Sequence, residues 1–525
     1  IIYGSIEACE LHVSNGANLT VSSGAQVVLQ NNLIVRGKLE VLHEGSLLVI
    51  NDNGETDDQG NINIHKSTSL LKPHDYTFWS SPVQDADLEL VFEASPKNSF
   101  HIFSTQNYED LDQDGLDDNN DAWVRVLGAM DIARGYTSMA PNAPFTDIQH
   151  VIFKGQPNNG RIITPIEIQK TGNNLQNDWN LIGNPYPSAI DGELLLNHPE
   201  NQDLLNGTLY FWTHATPLLN LTEDGTQAYS SDDYAMYTIG TGGIKASLDG
   251  QLPTQYIASC QGFFVEANRK GNLIFNNSMR SSLKNDNFFK TPQSKKESEP
   301  SRIWLNLYNE QGAFSQILLG FIPGATTQFD KNYDGLRLRG NKYLSFYMPL
   351  DEKKYAILGI PPLNGEEIIK LGFENYIQET TDLYINIDKV DGALEQKNIY
   401  LYDRLKNIVH DLKEQSYKFQ MNEQGAFNDR FELRFQDEIN MIDVDQLSET
   451  RLIWFTQNNS LFIKTNDNDS IRNIKIYDFN GRQIKRQNTN SALVMIPWVG
   501  LPSRVMFILR AELDDSRMLT CRIFP

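Results

Sequence analysis

Apolar positions along this chain alternate with polar ones in short runs, and glycine, proline or asparagine punctuates the runs. Residues 11–50 read LHVSNGANLTVSSGAQVVLQNNLIVRGKLEVLHEGSLLVI. Leu11 and Val13 share one side of an extended strand, as do Leu19 and Val21, Leu33 and Val35, and Leu39 and Val41. Gly16, Gly24 and Gly37 fall between these pairs, and Gly45 follows the last. A period of two between turn residues predicts strands. Apolar pairs separated by glycine turns suit the stacked strands of a β-solenoid or a flat sheet. So few repeats need a cap or a neighbouring domain. We place this solenoid-like β-repeat region at 1–70.

The same alternation continues with more aromatic residues in YTFWSSPV (76–83), NDWNLIGNPYPSAID (177–191), TLYFWTH (208–214) and CQGFFVEAN (260–268). These predict a β-sandwich or jelly roll over 71–289. A polar, proline-bounded linker follows at 290–300. RIWLNLYN (302–309), QILLGFI, KYLSFYM, LYINI, NIYLYD and FELRF predict a second sandwich over 301–437. NEQGAF occurs twice, at 309–314 and 422–427, and reads as a repeated β-turn. An acidic linker at 438–449 leads to residues 450–525, whose six or seven short strands have the size of an Ig-like sandwich. The fold class expected is therefore all-β throughout.

Composition narrows the function classes. With 525 residues and 40% hydrophobic content, the chain has material for several ordinary cores. Its net charge of −22 argues against nucleic acid, which needs a basic face to release counterions. An anionic membrane surface would also repel it. The dense basic pair Lys295–Lys296 sits beside Glu297 and Glu299. No run of 18 apolar residues occurs, so no transmembrane helix is expected. Cys9, Cys260 and Cys521 lie far apart without a C-x-x-C pair; one distant disulfide with an odd thiol left over is open to them, and the preferred reading is three small buried hydrophobes.

The sharpest chemical motif is DLDQDGLDDNND at 110–121. Ca²⁺ takes six to eight hard oxygens on a tightly wrapped loop. Asp110, Asp112, Asp114, Asp118 and Asp121 supply carboxylates, Gly115 permits the bend, and Leu116 offers a backbone carbonyl. The spacing resembles a thrombospondin type 3 or EF-hand-like calcium loop, with Asp rather than Glu at the twelfth position. The expected role is a structural Ca²⁺ site; the competing reading is a solvated acidic loop.

Enzyme signatures are weaker. H-E-x-x-H, a Walker A run and G-x-S-x-G are absent, and the nine histidines are scattered. Asp232–Asp233 could imitate a glycosidase pair, but adjacent strand residues face opposite sides. Trp79, Trp179 and Trp212 could stack on sugars, although a core role is the commoner use of tryptophan. The chain reads as non-catalytic. A glycan-binding or glycan-degrading protein using the 71–289 sandwich is the alternative.

YTFWSSPV, WNLIGNPYPSAID, LYFWTH, YSSDDYA, CQGFFVEA, FNNSMR (275–280), RIWLNL and FNDRFELRF (427–435) together resemble a family of large Bacteroidota surface proteins. Those proteins end in a type C sorting domain of the type 9 secretion system. IKIYDFNGRQIKR (474–486) looks like that domain's strand–turn–strand, with Tyr477, Asp478, Asn480, Gly481 and Arg482 at the hairpin. RMLTCRIF (517–524) resembles its last strand. The resemblance implies export behind a cleaved signal peptide, passage across the outer membrane, and a place at the cell surface or outside it. It implies docking of residues 450–525 on a PorV-type shuttle barrel and delivery by a SprA-type translocon. Adhesion or gliding motility is the role that the resemblance suggests for the cargo. The polar segments NDNDS (466–470) and NTNS (488–491) are expected to be loop tips suited to contact.

Overall fold

The fold was obtained as a computed structural model that describes residues 1–58, 61–109, 117, 119, 121–141, 147–169, 178–213, 234–282, 284–285, 300–338, 343–363, 367–435, 452–457, 460–465, 469–478, 482–498, 507–515 and 517–523. The chain is all-β and divides into two compact units. One comprises Ile1–Asn364, Ile369–Gln396 and Leu412–Asn428; the other comprises Gly365–Ile368, Lys397–Asp411 and Asp429–Pro525.

In the first unit, the glycine-punctuated pairs form parallel strands stacked on three faces. Ser5–Ala8, Gln26–Leu29 and Ser46–Val49 make one face. Leu11–Val13, Leu33–Val35 and Thr56–Asp58 make the second. Asn18–Val21, Lys38–Val41 and Asn61–Leu70 make the third. Val21, Leu33, Val35, Leu39 and Val41 point inward and are fully buried. Gly24 turns at φ 72°. Gly37 is needed for a different reason: a Cβ there would lie 2.2 Å from the Ala17 carbonyl oxygen of the coil beneath it.

The free edge of the last coil is covered. Ile148–Lys154 pairs antiparallel with Asn61–Leu70, with Val151 opposite Lys66 and Phe153 opposite Ile64. Val21, Leu39 and Ile64 share one core cluster with Trp79, Phe92, Phe100 and Phe153. Several signature residues act as clasps. Asn184 Nδ2 donates to the carbonyls of Ser188 (2.8 Å), Ile257 (3.0 Å) and Ala258 (3.0 Å). The Arg280 guanidinium lies 4.7 Å from the centre of the Tyr186 ring and donates 2.5 Å to the Leu47 carbonyl. The Tyr186 hydroxyl donates 2.6 Å to the Gly160 carbonyl.

Two further sheets carry the aromatic residues. One orders Tyr76–Trp79, Tyr136–Met139, His101–Phe103 and Trp123–Arg125; the other orders Trp179–Gly183, Gly262–Ala267, Leu205–Trp212, Tyr234–Thr238 and Gly242–Ile244. From Ser301 onward, Ser301–Tyr308, Phe314–Phe321 and Thr381–Asp391 pair antiparallel, and Phe314–Phe321 runs parallel to Lys353–Ile360. The first NEQGAF copy is a tight turn between Ser301–Tyr308 and Phe314–Phe321. Asn309 Oδ1 accepts from the Gln311 (3.1 Å) and Ala313 (2.8 Å) N–H groups, and Gly312 sits at φ 103°. The second copy joins Tyr417–Met421 to Gly425–Arg434, with its glycine, at φ 120°, opening the strand.

In the second unit, Tyr400–Asp403 pairs with Ile408–Asp411 on one side and with the end of Gly425–Arg434 on the other. A buried ion pair, Arg430 to Asp403 at 3.0 Å, lies between these strands. The remainder of this unit is a two-sheet sandwich over residues 452–523.

Candidate functional site: the terminal β-sandwich

The terminal sandwich is built from alternation alone. One sheet orders Leu452–Gln457, Ser460–Thr465 and Leu493–Pro497; the other orders Gln483–Ser491, Ile471–Tyr477, Phe507–Leu513 and Met518–Ile523. Every second residue faces the partner sheet. Leu461, Ile463, Ile474, Ile476, Ile496 and Leu509 are fully buried in one apolar cluster whose members all lie between Leu452 and Ile523. Trp498 closes one end edge-on against Phe507, with centroids 5.2 Å apart. Lys485 Nζ donates to the Pro497 carbonyl and so ties one sheet to the other.

The hairpin read from IYDFNGRQIKR has this geometry. Ile471–Tyr477 and Gln483–Ser491 pair antiparallel, with a bulge where Ile476 opposes Lys485 and Tyr477 opposes Gln483. Asp478 and Arg482 close the turn: each backbone N–H donates to the other residue, at 3.0 Å and 2.9 Å, and the side chains pair at 3.3 Å. Asn480 and Gly481 lie outside the described residues. One expectation needs correction. NTNS is not a loop tip, because residues 488–491 continue the strand and Ser491 pairs with Ile471. Polar side chains are compatible with an edge strand, where one face and one edge meet water.

The cysteines separate in environment. Cys260 is buried, and desolvation pushes its thiol up to about 11. Cys521 is half-buried, with its thiol also raised to about 11 by burial. Cys9 is exposed, contrary to the expectation that all three are buried, because it lies on the turn between Ser5–Ala8 and Leu11–Val13. All three are free thiols.

Of the calcium-loop residues, Asp110, Asp112, Asp114, Leu116 and Asp118 lie outside the described residues. The loop's base is described. The Asp117 carboxylate accepts from the Glu109 N–H and the Ala122 N–H, each at 2.9 Å. The Asp121 N–H donates 3.1 Å to Asn119 Oδ1, and its carbonyl accepts from Asn107 Nδ2 at 3.2 Å. Asp117, an acid within the motif that the spacing argument passed over, thus joins the two ends of the segment.

The tryptophans divide clearly. Trp79 and Trp179 are core residues, and Trp79 Nε1 donates 3.0 Å to Ser138 Oγ. Trp212 is half-buried, stacks on Phe78 at 5.4 Å, and donates 2.8 Å to the Tyr76 carbonyl. Trp123, which sequence reasoning did not single out, is 40% exposed and packs edge-on against Phe103 at 5.3 Å. Its signal was an aromatic residue two positions after the acidic motif. Asp232 and Asp233 lie outside the described residues. Glu266 is a buried acid: desolvation pushes its carboxyl up to about 7, and Asn206 Nδ2 donates to it at 2.5 Å. An open cavity of about 360 Å³ lies beside the first NEQGAF turn, lined in part by Glu310, Phe314, Tyr343 and Asp382. Among the described residues no three His, Cys, Asp or Glu side chains are grouped to hold a metal.

A family model described as a domain of unknown function (DUF8693) matches residues 1–435. No curated protein matches the chain. Among solved structures, Tp47, the 47-kilodalton lipoprotein of Treponema pallidum, is similar at 6% identity, covering 63% of this chain and 90% of that one. Its TM-score of 0.12 carries no argument about fold or function.

Proposed function

The chain belongs to the DUF8693 family through residues 1–435, and we propose that it is a surface or secreted cargo of the type 9 secretion system addressed by residues 450–525. The observation that carries this reading is modularity. The family match stops at residue 435, and the strands of 452–523 have their own two-sided core. An address must stay folded whatever precedes it, and a closed apolar cluster gives that independence. On this reading the sandwich docks on a PorV-type shuttle barrel and a SprA-type translocon carries the chain outward. Edge strands and loops of such a module offer main-chain hydrogen bonds to a partner. The cargo acts without catalysis, in adhesion or gliding, and the 110–121 loop holds a structural Ca²⁺.

Deleting residues 450–525 tests the address. Export should stop while the remaining chain still folds inside the cell; undiminished export of the truncated chain overturns the proposal. Titration calorimetry with Ca²⁺ on the wild type and on Asp112→Ala/Asp114→Ala tests the loop, with binding heat expected only in the wild type. A second reading, glycan binding by the 71–289 region, is favoured by the exposed ring of Trp123. Polysaccharide binding that is lost in Trp123→Ala would support it.

A further inference from the structure

The charge of this chain is unevenly distributed. Residues 451–525 carry eleven Lys and Arg against six Asp and Glu, a net +5, so the first 450 residues carry −27 of the total −22. Strand register concentrates part of that positive charge. Lys475 stands directly opposite Arg486 on one neighbouring strand and directly opposite Arg510 on the other. Opposed residues on adjacent strands project from the same face. Ile474, Ile476, Leu509 and Ala511 fill the other face, so the three cations form a row across the outer face of the sheet. At about 4.8 Å between strands, the row is roughly 10 Å long.

Like charges placed directly opposite one another destabilise a sheet. Among the described residues no carboxylate stands directly opposite a member of this row. Glu512 is on the same face but in the next row, opposite Asn473 and Met518. Arg517 pairs with Asp469 and Asp515, and Arg482 with Asp478, whereas Lys475, Arg486 and Arg510 have no ion-pair partner among the described residues. Exposed Met518 flanks the row. A local electrostatic conflict kept in an otherwise consistent sandwich points to function rather than stability.

We propose that this face, Arg486–Lys475–Arg510, is a docking surface for an acidic protein surface that presents carboxylates in a line. The inference rests on the export reading and names the face and the chemistry of the partner. Arginine forks match carboxylates in bidentate geometry. A lipid surface fits less well. Membrane recruitment uses clusters of four to eight cations, and this row has three.

The test uses the full chain and its Arg486→Gln/Lys475→Gln/Arg510→Gln variant, with Arg472→Gln as a control outside the row. Labelled hexaglutamate serves as the carboxylate probe, and vesicles of phosphatidylglycerol as the lipid probe. The triple variant should bind hexaglutamate roughly ten- to hundredfold more weakly, and salt should weaken wild-type binding. It should unfold at the same temperature as the wild type or higher, which a merely structural role for the row would not allow. Export yield should fall with the triple variant and not with Arg472→Gln. Equal hexaglutamate binding by wild type and variant overturns the proposal, as does preferential binding to the vesicles. If deletion of 450–525 abolishes export but the triple variant exports normally, the face is wrong and the address survives. If the deleted chain exports normally, the address itself fails.

Discussion

Lys66 offers the most informative perturbation of the fold. It occupies an inward position on Asn61–Leu70 between Ile64 and Thr68, is 1% exposed, and its Nζ has no hydrogen-bond partner among the described residues. Desolvation lowers its pKa, partly offset by Cys260 and Glu44. An amine with a reference pKa near 10.4 can avoid burying its charge by releasing the proton, which at pH 7 costs at most about 4.6 kcal/mol. The unpartnered amine adds roughly 1–3 kcal/mol. Methionine has similar length and no such demands. Lys66→Met should therefore stabilise the first unit by about 2–5 kcal/mol at pH 7. The sign with pH follows from the lowered pKa. The unfolded chain holds this proton more tightly than the folded state does, so wild-type stability rises with pH until the unfolded amine also deprotonates. The advantage of the variant should then shrink as pH rises towards 10, by at most about 1.4 kcal/mol per unit. Urea unfolding followed by tryptophan fluorescence reads this, since Trp79 lies in the same core. A variant less stable than wild type at pH 7, or an advantage that is flat with pH, refutes the reasoning.

Glu266 gives the opposite slope. Its carboxyl, pushed up to about 7 from 4.5, keeps a proton that the unfolded chain loses, so stability falls as pH rises from 4.5 to 7. Glu266→Gln should remove that slope and gain about 3 kcal/mol at pH 8, measured by denaturant midpoints. Arg430→Met strands the fully buried Asp403 and should cost about 3–5 kcal/mol, much of it recovered by adding Asp403→Leu in a double-mutant cycle. Gly37→Ala should cost about 1–3 kcal/mol or prevent the coil from closing, because its Cβ meets backbone oxygen at 2.2 Å. Gly24→Ala, with open space around it but φ 72°, should cost only about 1 kcal/mol in the same assay.

Much of this protein was legible in its sequence because strand periodicity is local. The pairs Leu33/Val35 and Leu39/Val41 announce a buried face, and Ile474/Ile476 do the same for the terminal sandwich. IYDFNGRQIKR contains both strands of its hairpin, so even the approximate register follows from the chain alone. Other features depend on partners distant in sequence. The glycine-punctuated pairs suggested stacked strands, but the pairing of coils 20 to 23 residues apart and the antiparallel cover from Ile148–Lys154 are contacts that no local pattern encodes. NTNS looked like a loop because polar residues suit turns and edge strands alike. Trp79 and Trp123 both sit in short strands, yet one is sealed in a core and the other reaches solvent. Lys475, Arg486 and Arg510 are ordinary surface cations in the sequence; pairing across three strands makes them a row. Periodicity thus determined which residues form strands and which side of each is apolar, whereas side-chain neighbours across strands, which set burial and charge at a site, were decided only when the sheets assembled.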